Sequence, residues 1–127
     1  MDGIKMADIG TAIQQIMQTD PNITAITAVN AGGSIVMQTE NWDLSADLGG
    51  VLDLWRAGGG GSLSIQGISY ICLEAIPERL IGTNVKGQGH IVGVKVGNGM
   101  IIAYISPQGE PRSALQTMVE TTKGVNL

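Results

Sequence analysis

The chain has no phenylalanine, one cysteine and one histidine among its 127 residues. Each shortage removes a class of explanation. A lone thiol, Cys72, permits no intrachain disulfide, so the fold must rest on its apolar core, and a reducing compartment is expected. His90 has only Cys72 as a soft-ligand partner, too few groups for a zinc site, and no metal or other cofactor is expected. Positive charge is also scarce: seven Lys and Arg against eleven Asp and Glu give a formal net charge of −4. That balance, with no basic run, disfavours nonspecific binding to nucleic acid or to an anionic membrane. No apolar run approaches the ~20 residues of a membrane-spanning helix. The N-terminus shows neither a signal-peptide core nor a targeting pattern. The expectation is a soluble cytoplasmic protein in which the sequon Asn22-Ile23-Thr24 is coincidental.

What remains is aliphatic. Hydrophobic residues make up 43% of the chain, and the aromatics are Trp42, Trp55, Tyr70 and Tyr104. This length suits one domain, residues 1–127, burying about two thirds of its unfolded surface. Over residues 6–19, Ile9, Ile13, Ile16 and Met17 recur on one helical face, and Asp20-Pro21 ends the helix. ITAITAV, residues 23–29, reads as a central strand; Asn30 to Gly33 turn the chain, and SIVMQT returns. A middle helix is expected after Asp43, with Leu44, Leu48, Val51, Leu52 and Trp55 inward and Asp43 and Asp47 serving its N-terminus. Gly49 and Gly50 either break that helix or let it pack closely.

After the connector Gly58–Gly61, short strands follow one another: SLSIQ, SYICLEAI, RLIGTNV, HIVGVKV and MIIAYIS. Their turns fall at Gly67-Ile68, Pro77-Glu78 and Gly97-Asn98-Gly99. Pro111 opens a last helix with Leu115, Met118 and Val119 inward. The order α-β-β-α-β-β-β-β-β-α implies an α+β fold, an antiparallel meander with helices on its faces.

The glycine-rich run KGQGHIVGVKVGNGMIIAYI, residues 86–105, invites a phosphate-loop reading. Such a loop ends in Gly-Lys-Ser/Thr and enters a helix; here Lys86 precedes the glycines and a strand follows them. The run therefore reads as turn, strand, hairpin and strand. Spacing alone leaves a nucleophilic Cys72–His90 pair open, but Cys72 sits mid-strand between apolar neighbours, where a buried, inert thiol is the commoner case. No acid–base pair is legible among the carboxylates, so the chain is read as a binding module and not an enzyme.

Taken together, IQGISYICLEAIPERLIGTNVKGQGHIVGVKVGNGMIIAYIS, the early ITAITAVNAGGSIVMQ and the middle WDLSADLGGVL resemble the profilins, in order, spacing and glycine placement. The resemblance implies a central antiparallel sheet of six or seven strands, with the N- and C-terminal helices on one face and the middle helix on the other. It implies a monomer that binds monomeric actin at the barbed end, regulates polymerisation and associates with the cytoskeleton. By position it points to Ser69, Ile71, Glu74, Lys86 and His90 on the strands and turn. On the last helix it points to Arg112, Ser113, Gln116, Thr117 and Glu120. The chain departs from the family at Ser69 and Glu74, where typical profilins carry basic residues, so the electrostatics of an actin contact must differ.

Polyproline binding, a family trait, needs aromatics on the terminal helices; these have none, and the strand position reads Val36-Met37. Trp42 is expected to pack the loop before the middle helix. Phosphoinositide binding would need the fold to gather Lys5, Arg79, Lys86, Lys95 and Arg112. This pattern of losses resembles the archaeal type of profilin. Roadblock- and longin-like modules, which scaffold small GTPases, share much of the element order and form the alternative. The hairpin SLSIQGISYICLEAI favours profilin over them.

Overall fold

In a computed structural model, which describes residues 8–127, the first helix α1 (Ile9–Thr19) starts at Asp8. The Asp8 carboxylate accepts the Thr11 backbone N–H at 2.8 Å, which stops the first turn from fraying. Ala12, Ile13 and Ile16 form its buried stripe, and the chain leaves it at Asp20, before Pro21. Residues 6 and 7 of the expected helix, and Lys5, lie outside the described residues.

The strands are β1 (Ile23–Val29), β2 (Ile35–Gln38), β3 (Ser62–Ile65), β4 (Ile68–Ile76), β5 (Arg79–Thr83), β6 (His90–Val96) and β7 (Gly99–Ile105). With α2 (Leu48–Arg56) and α3 (Pro111–Thr121) they follow the order expected from the sequence. They form one seven-stranded antiparallel sheet in the order β2-β1-β7-β6-β5-β4-β3. Two-residue turns fix the hairpin registers: both Gln66 (φ 51°) and Gly67 (φ 82°) are left-handed between β3 and β4, the type I′ pattern.

Each face of the sheet carries its own core. On one face, α1 lies against β1 and α3 against β6, over Ile26, Val92, Val94, Ile101 and Ile105. On the other, α2 and the loop before it cover Ala25, Val29, Leu80, Ile91 and Ile102 with Trp42, Leu44, Leu52 and Trp55. Gly93 is where α2 settles: a Cβ there would come within 2.7 Å of the Trp55 ring, so the bare backbone is what the indole rests on. The indole N–H donates to the Ile76 carbonyl at 2.6 Å, which satisfies the buried donor.

Three local expectations are corrected. Asp43 does not cap α2, because a turn over residues 44–47 intervenes and its carboxylate accepts the Ser45 N–H and hydroxyl. Asp47 precedes the helix but makes no capping bond; it accepts the Gln66 N–H at 2.8 Å and ties α2 to the β3–β4 turn. Gly49 and Gly50 neither break α2 nor bring it close to anything, since a Cβ on either would meet nothing within 4 Å. Val119, expected inside, is 40% exposed, while Ala114 and Met118 form the buried stripe of α3.

Candidate functional site

The helices leave one part of the sheet bare. On the α1/α3 face, α3 covers β6, and Ile81 of β5, opposite Val92, is buried beside it, so β4 and β3 present this face without a helix above them. Cross-strand pairing assigns its residues: Ser62 opposite Ile71, Ser64 opposite Ser69, Ile71 opposite Thr83, and Thr83 opposite His90. Strict alternation would send Glu74 to the opposite face from Ser69 and Ile71. A bulge between Cys72 and Glu74 inserts Leu73 and changes the phase, so Glu74 pairs with Ile81 on the open face. Cys72 and Ala75, both beside Gly59, stay on the α2 face. The open face thus carries Ile71 (45% exposed) and Leu73 (60% exposed) together.

Beside this apolar pair lies the main charged cluster. Glu74 accepts from Arg79 Nη2 at 3.0 Å and from Arg112 Nη1 at 3.4 Å, so a β4 carboxylate joins β5 to the first turn of α3. The Arg79 hydrogen bond, followed by the charges of Arg79 and Arg112, holds the Glu74 carboxyl below its ordinary range. Glu110 caps α3 through the N–H groups of Arg112 and Ser113, and this sets where Arg112 leaves the helix.

The rim is built by Asn84. Its amide oxygen accepts the N–H groups of Lys86 (2.8 Å) and Gln88 (3.1 Å), and its amide nitrogen donates to the Ser69 carbonyl at 2.8 Å. Those two loop N–H groups are therefore already engaged, which answers the phosphate-loop question on physical grounds. Lys86 is exposed on this loop, close to Ser69 through Asn84. His90 is half-buried, with Nδ1 2.8 Å from the Thr83 hydroxyl.

Ser69, Ile71, Glu74 and Arg112 therefore share one surface, with Lys86 and His90 on its border. On α3, Arg112 and Val119 flank the open side, whereas Ser113, Gln116, Thr117 and Glu120 line a groove that also includes Thr19 of α1. Sequence reasoning did not single out Leu73, Arg79 as the partner of Glu74, or Asn84. The first depends on a bulge, and the other two on pairing across strands. The run Asn84-x-x-Gly was the one local signal for a side-chain-organised turn.

Cys72 and His90 lie on opposite faces of the sheet, which precludes a nucleophile–base pair. Tyr70 is buried on the α2 face; burial first, then Tyr104, pushes its phenol up to about 12, so it stays neutral. Among the described residues no group of three His, Cys, Asp or Glu is placed to hold a metal ion. Nor does any described helix have the length and apolarity to cross a membrane. Of the basic residues considered for a phosphoinositide patch, Arg79 and Arg112 converge on Glu74, whereas Lys95 alternates with the buried Ile91 to the α2 face. Trp42 is buried in the α2-side core, where it packs the loop before α2.

No family model matches the chain. Among curated proteins, Loki profilin-2 of Lokiarchaeum sp. (strain GC14_75) is 38% identical over 120 residues, covering 87% of this chain and 90% of its own. The chain belongs to the profilin family. Odin profilin of Odinarchaeota yellowstonii (strain LCB_4) is 36% identical to this profilin over 103 residues, covering 80% of this chain and 84% of its own. Among solved structures, that titled LokiProfilin2/Rabbit Actin Complex superposes with a TM-score of 0.83 at 38% identity, covering 91% of this chain and 92% of that one. Acanthamoeba castellanii profilin IB shares the fold at a TM-score of 0.72 and 13% identity, covering 87% of this chain and 90% of its own. This profilin is of the archaeal type, and the GTPase-scaffold alternative is not favoured.

Proposed function

We propose that this profilin binds an actin monomer through the open β3–β4 face and the adjoining flank of α3, and thereby regulates polymerisation in the cytoplasm. The observation that carries the reading is the uncovered sheet surface itself. Ile71 and Leu73 stand exposed beside the Glu74–Arg79–Arg112 cluster, an apolar centre with a charged margin. In the contact, Ile71 and Leu73 supply the desolvated centre. Ser69, Lys86 and His90 supply polar contacts at one margin. Arg112 supplies those along α3, with Gln116, Ser113, Thr117 and Glu120 behind it on the side towards α1. Glu74 screens both arginines, which lowers the positive potential of the face and sets its charge preference. The work is recognition, with no bond-making step and no cofactor.

Similarity to profilins whose solved structures are titled as actin complexes supports the reading. It is tested by titrating labelled monomeric actin with the protein and following nucleation and elongation. Binding with slowed nucleation is expected; no binding, with unchanged polymerisation, would remove the function.

A further inference from the structure

On the α2 face, the side of the sheet opposite to the proposed actin contact, lies a cavity of about 380 Å³. Its size falls in the range of small-molecule sites, about 300–1,000 Å³. It opens between the C-terminal end of α2, the β4–β5 turn and the β6–β7 hairpin. Leu52, Trp55, Ala75 and Met100 make its wall apolar. The Trp55 indole N–H and the Ile76 carbonyl are spent on each other, so this part of the wall offers hydrocarbon and aromatic surface. At Gly58 a Cβ would meet nothing within 4 Å, so the missing side chain leaves the mouth clear.

Two cations stand at this mouth. Arg56 is exposed in the last turn of α2, and Lys95 is exposed on β6, directly opposite Met100 of β7. Among the described residues neither forms an ion pair. This differs from Arg79 and Arg112 across the sheet, which are committed to Glu74. An apolar recess with two uncommitted cations at its entrance matches one ligand chemistry. The body must be hydrocarbon, and the head must be a small anion able to accept charge-assisted hydrogen bonds.

We propose that this cavity is a binding site for a small amphipathic carboxylate of the fatty-acid type, its chain against Trp55, Leu52 and Met100 and its carboxylate between Arg56 and Lys95. The site does not depend on the actin reading, because it uses the other face of the sheet.

The test uses the full chain, with sodium decanoate as probe and decylammonium as the charge-inverted control of equal length. Heteronuclear NMR titration is expected to show saturable one-site binding of decanoate, with shifts confined to Leu52, Trp55, Ala75 and Met100. Decylammonium should leave those signals unmoved. The double variant Arg56→Gln/Lys95→Gln changes two exposed side chains, and is expected to weaken decanoate binding at least about tenfold by removing both charge-assisted partners. The second variant, Met100→Trp, fills the recess and is expected to abolish saturable binding while both cations remain. Any of these results would overturn the proposal: no saturable binding to the unmodified protein, equal binding of decylammonium, or undiminished binding by the double variant. Shifts spread through both cores would also overturn it, since they mark detergent-like loosening in place of a site.

Discussion

The two halves of the sheet differ in how they are covered. Strands β1, β7 and β6 are packed on both faces: α1 and α3 lie on one, and Trp42, Leu44, Trp55 and their neighbours on the other. Strands β4 and β3 are packed by α2 on one face only, and β5 lies between the two cases, with Leu80 buried on the α2 face and Ile81 on the other. The sequence follows this division. Doubly covered strands are nearly continuous apolar runs, as in ITAITAV and MIIAYI, whereas β3 alternates Ser62, Leu63, Ser64, Ile65. The comparison teaches where stability and recognition are lodged. A residue of the first half is held by neighbours on every side. A side chain on the bare face of the second half can be exchanged with little loss of folding free energy, so it is available for a partner.

The largest expected effect lies in the first half. Ile102→Ala empties a fully buried position and should cost about 2–5 kcal/mol in chemical denaturation. An equally small cost would break the distinction between the halves. Next comes the open face: Ile71→Glu with Leu73→Glu should leave the unfolding midpoint nearly unchanged, within about 0.5 kcal/mol. The same pair should weaken actin binding by about 2 kcal/mol or more, measured by titration of labelled actin. A pair of variants that unfolds the protein without changing affinity in the folded fraction would reverse the assignment.

A smaller change sharpens the comparison on the α2 side. Gly50→Ala meets no neighbour and relieves a glycine in the helix, so it should stabilise the protein by up to about 1 kcal/mol in the same denaturation experiment. The smallest effect is that of Glu74. Its carboxyl titrates lower in the folded chain than in the unfolded one. The stability it adds is therefore present above the unfolded carboxylate range and is lost as pH falls through its folded pKa. Glu74→Gln should remove this acid-side component, visible as a flatter stability profile below neutral pH. A profile identical to that of the unmodified chain would show that the cluster does not couple β4 to α3.

Much of the fold was legible because its signals are local. β1 occupies the residues expected of it, the Gly97-Asn98 turn sits between β6 and β7, and Pro111 opens α3, because strand alternation, turn chemistry and proline geometry act within a few residues. The start of α2 was misplaced for the same reason. Asp43 has the chemistry of a cap, but its carboxylate is taken by Ser45, and a further turn follows before Leu48. The proposed site was legible in part. Ser69, Ile71 and Glu74 were named from a family resemblance, although alternation alone would have separated Glu74 from the others. That Leu73 faces outward beside them was not legible, since the bulge is set by the pairing of β4 with β5.

The sequence by itself determined which segments are strands or helices, that the interior is aliphatic, and that metal ligands and cationic runs are wanting. These follow from residue type and short-range spacing. Only the tertiary structure decided which strand face stays bare, which cations are neutralised by Glu74 and which line the α2-side cavity. Those outcomes depend on contacts between residues far apart in the chain, such as Glu74 with Arg112 and Trp55 with Gly93, and no local pattern encodes them.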